Sequence, residues 1–357
     1  MAVIDNFWQD RPVFVTGHTG FMGGWLCAYL MHRGARVHGY ALPLPTDPSF
    51  FDATGLGERL ATSKFGDVRD LDALTAAMQS AAPSVVFHLA AQPLVRRAHA
   101  EPMETVSTNV MGTANLLEAA RHVPSVKAII VVTTDKVYRN LDRQEPYTED
   151  SELGGREPYS ASKAASEFIV DAWRHSYLHA QDIGVASVRA GNIFGGGDWA
   201  QDRLVPDAVR TFEKGQPLVL RNPNSTRPWQ HVLEPLHGYL TLAERLVSDG
   251  EEFAGGWNFG PALNDCRPVG ELAQLMAQSW GTGASIEVEP DQRIFEEQFL
   301  SLDCSKARSG LGWRPRLSLE QGVEQAIAWY RAYAEGADMW NFTTRQIEDM
   351  ETMEATA

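Results

Sequence analysis

Short apolar runs alternate with longer segments of helical periodicity through the first half of the chain. The apolar runs predict six strands, at RPVFVTG, ARVHGYAL, SKFGDV, SVVFHLAA, IIVV and GVASVRAGNIFG. The segments between them predict helices, most clearly FMGGWLCAYLMHRG, DLDALTAAMQSAA, PMETVSTNVMGTANLLEAARH and PYSASKAASEFIVDAWRHSYL. Strands and helices that alternate at this spacing are typical of an α/β protein with a doubly wound parallel sheet.

The rhythm changes after about residue 195, where GGGDW is followed by short elements, many prolines and several arginines. We therefore predict a first domain at residues 1–195 and a smaller substrate-binding lobe at residues 196–337. Some segments of the lobe are expected to return to the first domain. The remaining residues, 338–357, are acidic and rich in methionine, and we predict that they fray.

Composition narrows the class of protein. The chain has 357 residues and 44% hydrophobic content, which suits one large α/β unit or two closely joined domains. Its formal charge of −15 argues against general binding to nucleic acid or to anionic membranes. The N-terminus does not resemble a signal peptide, and no window has about 18 uninterrupted apolar residues.

The three cysteines, Cys27, Cys266 and Cys304, are far apart and have no metal-binding spacing. This usage is typical of a reducing compartment and predicts neither a disulfide framework nor a metal site. We expect a soluble cytoplasmic protein.

The first motif that bears on chemistry is TGHTGFMGG, with Gly17, Gly20 and Gly23 between a strand and a helix. Glycines at this position allow the backbone to approach a pyrophosphate, and the helix N-terminus supplies N–H donors and positive potential. A glycine-rich turn without a ligand is the simpler alternative. The position between the first strand and the first helix favours a Rossmann-type dinucleotide-binding domain.

Three further candidates follow strands of the same sheet. Asp67, after the third strand, is placed to accept from an adenine amino group, although a helix-capping role explains it equally well. The fourth strand ends in HLAAQP, where Ala90 and Ala91 leave room for a flat cofactor or simply permit tight packing. Gln92 comes next and is a candidate to face a substrate.

Tyr159 and Lys163, in YSASK, lie four residues apart and therefore on one face of the predicted helix. Tyrosine is a poor base because its reference pKa is about 10. A neighbouring ammonium and an oxidised nicotinamide stabilise the phenolate, which can then take a proton from a hydroxyl while hydride leaves carbon. A surface Tyr/Lys pair is the alternative, and Thr134 at the end of the preceding strand favours the catalytic interpretation.

The stretch IIVVTTDKVY places Asp135 and Lys136 where a buried strand ends. Strand side chains alternate between faces, so both groups can reach one substrate only if the chain leaves the sheet at this point. An ion pair or a helix cap would also explain them. A catalytic acid and base are the alternative that we favour.

These motifs resemble those of the extended short-chain dehydrogenases/reductases over nearly the full length of the chain. The family pattern T-G-x-x-G-F-x-G is present from Thr16 to Gly23, with Thr134 ending strand five and Tyr159 and Lys163 forming Y-x-x-x-K. RAGNIFGGGDW and STRPWQHVLEPLHGY resemble the nucleotide-sugar branch. Within it, TTDKVY, RPWQHVLEPL and WNFGP are similar to motifs of the 4,6-dehydratases that act on CDP-glucose.

The resemblance implies catalysis by Thr134, Asp135, Lys136, Tyr159 and Lys163. It implies NAD as cofactor, held by Gly17, Thr19, Gly20, Phe21, Met22, Gly23, Asp67, Val68, Leu89, Ala90, Ala91, Thr108, Tyr159 and Lys163. It implies a nucleotide sugar, most similar to CDP-glucose, bound by Gln92, Asn192, Arg203, Arg227 and Arg293, and a homodimer. The choice of NAD rests on the resemblance alone, because GYALPLP at the end of the second strand offers neither an acid for the ribose nor an arginine for a 2′-phosphate.

Three other functions fit the same fold. A sugar 4-epimerase needs only oxidation, rotation of the ketone and reduction, and it does not need Asp135 and Lys136. A net sugar oxidoreductase would release reduced dinucleotide in each turnover. A non-catalytic cofactor-sensing protein would have little use for Thr134, Tyr159 and Lys163 together.

Overall fold

A computed structural model describes residues 6–141, 145–289 and 300–354. The strands are β1 (Pro12–Thr16), β2 (Arg36–Ala41), β3 (Thr62–Phe65), β4 (Val85–His88), β5 (Ala128–Val132), β6 (Gly184–Ala190), β7 (Asn192–Phe194), β8 (Pro217–Leu220), β9 (Thr226–His231), β10 (Gly255–Phe259), β11 (Cys266–Pro268) and β12 (Ser285–Val288). The α-helices are α1 (Phe21–His32), α2 (Phe50–Ala53), α3 (Leu56–Arg59), α4 (Leu71–Ala81), α5 (Val95–Ala100), α6 (Pro102–Val106), α7 (Gly112–Ala120), α8 (Pro158–Trp173), α9 (Leu204–Glu213), α10 (Leu233–Asp249), α11 (Val269–Trp280), α12 (Ser305–Leu311), α13 (Leu319–Ala334) and α14 (Met339–Thr352).

A seven-stranded sheet in the order β10-β6-β5-β4-β1-β2-β3 is the centre of the fold. All of its neighbouring strands are parallel, which confirms the predicted doubly wound α/β architecture. β10 comes from the second half of the chain and lies beside β6. Two smaller sheets, β11-β9-β7 and β12-β8, belong to the second half. The carboxyl ends of β1, β4, β5 and β6 therefore meet at one edge, where ligands of such sheets bind.

Apolar side chains bury both faces of the main sheet. β4 and β6 are buried along their whole length, as expected for central strands of a parallel sheet covered by helices. One apolar cluster includes residues of α1, α10 and α13, and a second includes residues of α4, α7 and α8. No helix in the described part of the chain is both long enough and apolar enough to span a membrane.

The run GVASVRAGNIFG, predicted as one strand, divides at Gly191 into β6 and β7. β7 leaves the main sheet and pairs with β9. A Cβ on Gly191 would lie 2.4 Å from Cγ of Pro228 and 3.0 Å from Oδ2 of Asp135. The glycine is needed here because the chain passes between these two residues on its way to the smaller sheet.

The acidic C-terminal segment, which we expected to fray, instead forms α14. Asp338 caps this helix by accepting from the Asn341 N–H at 3.0 Å. Ile347 and Met350 are fully buried against the rest of the protein. Arg33 of α1 donates to Glu351 at 2.6 Å. The prediction failed because it weighed charge over the helical spacing of the apolar residues, which is the stronger signal.

Candidate active site

The loop between β1 and α1 is shaped by its three glycines. Gly17 has φ +78°, and a Cβ on it would lie 2.8 Å from the N of Ala90. A Cβ on Gly23 would lie 2.1 Å from the carbonyl oxygen of Gly17. Gly20 is the N-cap residue of α1 and has no side chain to cap the helix, so the first N–H groups of α1 can serve an anion. This cradle fits a dinucleotide pyrophosphate.

The residues next to these glycines fix the loop. The Thr19 hydroxyl donates to the carbonyl of Leu42 at 3.0 Å, which ties the loop to the end of β2. Phe21 and Met22 are half-buried in the first turn of α1. The Phe21 ring lies against Gly195, where an added Cβ would be 3.2 Å from its Cζ. The glycine-rich segment after β7 is therefore next to the predicted cofactor loop.

The segment after β4 is held by a buried histidine. Nδ1 of His88 lies 2.7 Å from the Thr16 hydroxyl, and burial lowers the His88 pKa to about 3. The N–H groups of Leu89 and Ala90 both donate to the Thr16 oxygen at 3.2 Å. Leu89, Ala90 and Ala91 are half-buried beside the glycine loop, which leaves their surfaces available to a cofactor.

Asp67 and Val68 follow β3 at the same edge of the sheet. Asp67 is engaged by Arg69, whose Nη2 donates to Oδ2 at 2.5 Å. The main-chain carbonyl of Asp67 accepts from the Tyr40 hydroxyl at 3.2 Å, and that of Val68 accepts from Asn115 at 3.0 Å. These hydrogen bonds fix the position of the segment, and a contact between Asp67 and an adenine stays a prediction.

Gln92 has a structural position, contrary to the expectation that it faces a substrate. Its side chain is buried, and its Nε2 donates to the Thr105 hydroxyl at 2.8 Å. Its Oε1 accepts from the Leu94 N–H at 2.7 Å. Both ends of the amide are thus hydrogen-bonded within the subunit, to Leu94 in the loop and to Thr105 on α6. Sequence position showed that Gln92 follows a strand but not that its side chain turns inward.

Asn109 is a residue of this region that the sequence reasoning missed. It is buried, and its Oδ1 accepts from the Gln92 N–H at 2.8 Å. Its Nδ2 donates to the Ser162 hydroxyl at 2.9 Å, which connects the loop after β4 to α8. Asn109 and the half-buried Thr108 lie in a π-helical turn at Ser107–Met111 that interrupts the predicted long helix. Such turns often occur at functional sites.

Tyr159 and Lys163 project from the first turns of α8, as predicted. Glu157 caps this helix, with Oε2 accepting from the Tyr159 N–H at 2.7 Å and Oε1 accepting from the Ser160 N–H at 2.7 Å. Nζ of Lys163 donates to the carbonyl of Val132 at 3.0 Å. Tyr159 and Lys163 are both buried. The Glu157-Pro158 pair that begins the helix is a capping signal that the sequence offered.

Burial dominates the protonation of the pair. It raises the pKa of Tyr159 to about 12, against a hydrogen bond with Thr134 and the charge of Arg203, which both lower this pKa. It lowers the pKa of Lys163 to about 8, against the carboxylate of Glu167, which raises it. Burial of Tyr159 therefore favours the neutral phenol over the phenolate. A further positive charge close to Tyr159 would favour the phenolate.

Asp135 and Lys136 occupy a short 3₁₀ turn, Asp135–Val137, that begins two residues after β5. Thr134 is its N-cap and accepts from the Lys136 N–H at 3.4 Å. The Thr134 hydroxyl donates to Oδ1 of Asp135 at 3.0 Å. Asp135 is buried and Lys136 is half-buried. The chain thus leaves the sheet where the sequence required it to, and Thr134 contacts both Asp135 and Tyr159.

The structure describes three of the four remaining substrate candidates. Asn192 begins β7 and is half-buried. Arg203 is the N-cap residue of α9, and its guanidinium lies 3.3 Å from the buried Asp198. Arg227 lies in β9 and its guanidinium donates to the Thr226 carbonyl at 2.9 Å. Arg293 lies outside the described residues. The contacts of these four residues with a phosphate stay predictions.

The family model described as GDP-mannose 4,6 dehydratase matches residues 14–326. The chain is 46% identical to a CDP-glucose 4,6-dehydratase of Salmonella typhimurium, over 96% of this chain and 97% of that protein. It is 28% identical to a dTDP-glucose 4,6-dehydratase of Haemophilus influenzae, over 89% of this chain and 97% of that protein.

Solved structures share the fold. A dTDP-glucose 4,6-dehydratase from Bacillus anthracis in complex with NAD superimposes with a TM-score of 0.76 at 21% identity, covering 92% of this chain and 99% of that one. A UDP-glucose 4-epimerase from Thermus thermophilus in complex with NAD superimposes with a TM-score of 0.76 at 23% identity, covering 89% and 98%. The fold alone does not separate dehydratases from epimerases. The match across most of its length shows that the chain belongs to the family described as GDP-mannose 4,6 dehydratase.

Proposed function

We propose that this protein is a nucleotide-sugar 4,6-dehydratase, a hydro-lyase whose substrate is CDP-glucose. The observation that carries the proposal is the turn after β5, which places a buried carboxylate, Asp135, and an amine-bearing residue, Lys136, directly after Thr134. A 4-epimerase or a net oxidoreductase has no step for such a pair. The 46% identity to a CDP-glucose 4,6-dehydratase supports both the reaction and the sugar nucleotide.

The cofactor that we propose is NAD. The cradle formed by Gly17, Gly20 and Gly23 fits its pyrophosphate, and the small side chains of Ala90 and Ala91 border the same loop. When bound, NAD⁺ supplies the hydride acceptor, a positive charge near Tyr159, and the hydride that is returned at the end. No acid directly follows β2, so the preference for NAD over NADP is supported by the NAD complexes of fold relatives rather than by a side chain.

Tyr159 begins the reaction by taking the proton of the sugar 4-hydroxyl as carbon 4 becomes a ketone. The Thr134 side chain forms a hydrogen bond with the phenol of Tyr159. The ammonium of Lys163, one helical turn away, lowers the cost of a phenolate in this buried position. These residues alone would serve any dehydrogenase of this fold.

Asp135 and Lys136 carry the step that distinguishes a dehydratase. The ketone at carbon 4 makes the hydrogen on carbon 5 acidic, and Lys136 takes it as a proton. Asp135, in its protonated form, gives a proton to the 6-hydroxyl, which leaves as water when the carbon–oxygen bond breaks. This elimination leaves a double bond between carbons 5 and 6. The hydride taken from carbon 4 would return from the reduced cofactor to carbon 6, and a proton would return to carbon 5. The product is then the 4-keto-6-deoxy sugar, and the cofactor is back in its oxidised state.

Asn192, Arg203 and Arg227 are the described candidates for binding the sugar nucleotide. Arg203 is close enough to Tyr159 to affect its pKa, so it lies near the reacting end of the sugar. Arg227 on β9 and Asn192 on β7 belong to one small sheet and can serve the phosphates together. These assignments rest on position within the fold.

A homodimer through α6, α8 and the π-helical turn is part of the proposal. Val106, Met111 and Phe168 are 40%, 53% and 60% exposed there. Leu117 on α7 and Val170 on α8 are buried within the subunit and are not available to such an interface. A second copy of the chain that packs its equivalent face against this one would bury the exposed side chains.

A cytoplasmic location is also proposed. Its support is the chemistry of the cysteines, since Cys27, Cys266 and Cys304 are free thiols.

The decisive experiment supplies purified protein and catalytic NAD⁺ with a panel of nucleotide hexoses and no reduced cofactor. A product one water lighter, with a 4-keto-6-deoxy sugar, from CDP-glucose alone is the expected result. Tyr159→Phe is the matched control and should give no product from any member of the panel. Formation of a 4-epimer, or accumulation of reduced dinucleotide in step with substrate, would replace the proposal by one of its rivals.

A further inference from the structure

Asp135 and Lys136 share one turn, and a single buried ion pair is connected to both ends of it. The pair joins Glu167 on α8 to Arg189 on β6. Nη2 of Arg189 lies 2.8 Å from Oε2 of Glu167, and Nε donates to Oε1 at 2.9 Å. The two side chains are only 6% and 4% exposed. A charge pair so fully buried has a high desolvation cost, so its location demands an explanation.

The first connection is to Thr133, the residue before Thr134. The Thr133 hydroxyl donates to Oε1 of Glu167 at 2.5 Å, and its N–H donates to the Val188 carbonyl at 2.9 Å. Glu167 lies four residues after Lys163 and eight after Tyr159, so one face of α8 carries all three residues. The Glu167 carboxylate therefore fixes the position of Thr133, where the chain enters the turn.

The second connection is to Tyr138, the residue that follows the turn. Nη1 of Arg189 donates to the Tyr138 hydroxyl at 2.8 Å. That hydroxyl donates to Oδ1 of Asn258 at 2.7 Å, on β10. Gly256 leaves room for the guanidinium, because a Cβ there would lie 2.6 Å from Nη2. Tyr138 and Asn258 are both buried, so the exit of the turn is fixed as firmly as its entry.

We infer that Glu167 and Arg189 are positioning residues for the dehydration half of the reaction. Their ion pair holds Thr133 and Tyr138, and through these two it fixes where the turn presents Asp135 and Lys136 to the sugar. The inference rests on the proposed function of the turn. It assigns the two catalytic pairs to different supports. α8 positions Tyr159 and Lys163, whereas the Glu167–Arg189 ion pair positions Asp135 and Lys136 by holding both ends of their turn.

Two conservative variants test this without leaving a buried charge unpaired. Thr133→Val removes the hydroxyl that contacts Glu167, and Tyr138→Phe removes the hydroxyl between Arg189 and Asn258. Each should slow formation of the dehydrated product by about tenfold to a hundredfold, because misplacement of a catalytic group by about 1 Å costs that much. Oxidation at carbon 4, followed as reduced dinucleotide in a single turnover, should stay within about twofold of the wild type.

Matched controls distinguish a misplaced turn from a general loss of folding stability. Thr133→Ser keeps the hydroxyl and should restore dehydration. Ser187→Ala removes the 2.5 Å hydrogen bond to the same Glu167 carboxylate without touching the turn, and it should leave both steps near the wild-type rate. Solvent deuterium at carbon 5 gives the second readout, which should fall in Thr133→Val and Tyr138→Phe only.

Equal slowing of oxidation and dehydration in the two variants would mean that the network has only a structural role. Unchanged dehydration in both would also overturn the inference. If the wild-type protein makes no dehydrated sugar from the panel, the proposed function fails first, and the inference fails with it for that separate reason.

Discussion

The ammonium of Lys163 donates to the main-chain carbonyl of Val132 at 3.0 Å, and Val132 is the last residue of β5. This contact joins the helix that carries Tyr159 to the strand that leads into Thr134. Lys163 therefore has two physical effects. It supports the phenolate by charge, and it anchors α8 to the edge of the sheet where the acid/base turn begins.

Lys163→Met is expected to abolish oxidation at carbon 4 and to stabilise the fold. Burial lowers the Lys163 pKa from 10.5 to about 8, so the folded protein binds this proton more weakly than the unfolded chain does. The resulting loss of folding stability in the wild type is fully present below about pH 8 and disappears as the pH rises toward 10.5. Removing this cost would stabilise the Lys163→Met variant by at most ~3 kcal/mol. Loss of the hydrogen bond to the Val132 carbonyl would reduce this gain by ~1 kcal/mol.

Urea unfolding at about pH 7 and about pH 10 measures this difference, which should shrink at the higher pH. Lys136→Met is the matched control, because Lys136 is half-buried outside this contact and should change stability by only about 0.5 kcal/mol. A less stable Lys163→Met variant at neutral pH would show that the anchoring contact outweighs the desolvation of the charge.

Glu351→Gln is expected to remove part of the acid sensitivity of α14. Burial raises the Glu351 pKa, but the hydrogen bond with His32 and the charge of Arg33 outweigh it and hold this pKa at about 2. A carboxylate with a depressed pKa contributes stability above its unfolded value of 4.5, and this contribution is lost as the pH falls toward 2. The contribution is at most ~3 kcal/mol.

Limited proteolysis of the C-terminal helix at decreasing pH follows this change. In the wild type, cleavage should increase as the pH falls from about 4.5 toward about 2, whereas Glu351→Gln should already be sensitive at neutral pH. Glu348→Gln is the control, since Glu348 is exposed and makes only a 4.0 Å contact with His32. Equal sensitivity of all three proteins would assign the docking of α14 to its apolar face alone.

Local signals made much of the fold and the catalytic centre predictable. The glycine loop, the Y-x-x-x-K helix and the parallel sheet each depend on residues close together in sequence, where periodicity and spacing are informative. The position of Asp135 after β5 followed from the same kind of pattern. Residue spacing therefore predicts best the backbone position of a side chain, at the end of a strand or on one face of a helix.

Long-range contacts were not predictable in the same way. Thr133 and Glu167 are 34 residues apart, and Tyr138 and Asn258 are 120 apart, so no local pattern connects them. Gln92 was assigned to the substrate because it follows a strand, but its partner Thr105 lies 13 residues away and draws the amide inward. Tertiary hydrogen bonding decides the direction of such side chains.

Phe168→Glu combined with Met111→Glu is expected to convert a dimer into a monomer. Both side chains are more than half exposed on the face that α8 shares with the π-helical turn. Two carboxylates there would be buried without partners in a dimer, which costs several kcal/mol. Sedimentation at micromolar concentration measures the change. Val288→Glu is the control, because Val288 is 53% exposed on a different element and should leave the dimer intact. A monomeric wild type would contradict the proposed assembly.

Lys136→Met is expected to stop the reaction after oxidation. The Lys136 side chain follows the N-cap Thr134 on the turn, whereas Tyr159 and Lys163 lie on α8, so the variant leaves the groups for carbon 4 in place. The variant should form reduced dinucleotide with CDP-glucose, incorporate no solvent deuterium at carbon 5, and release no dehydrated sugar. Loss of a positioned base typically costs about 10² to 10⁴ in rate. Tyr159→Phe is the contrast and should form no reduced dinucleotide. Dehydration near the wild-type rate by Lys136→Met would exclude Lys136 as the base and shift that role to Asp135.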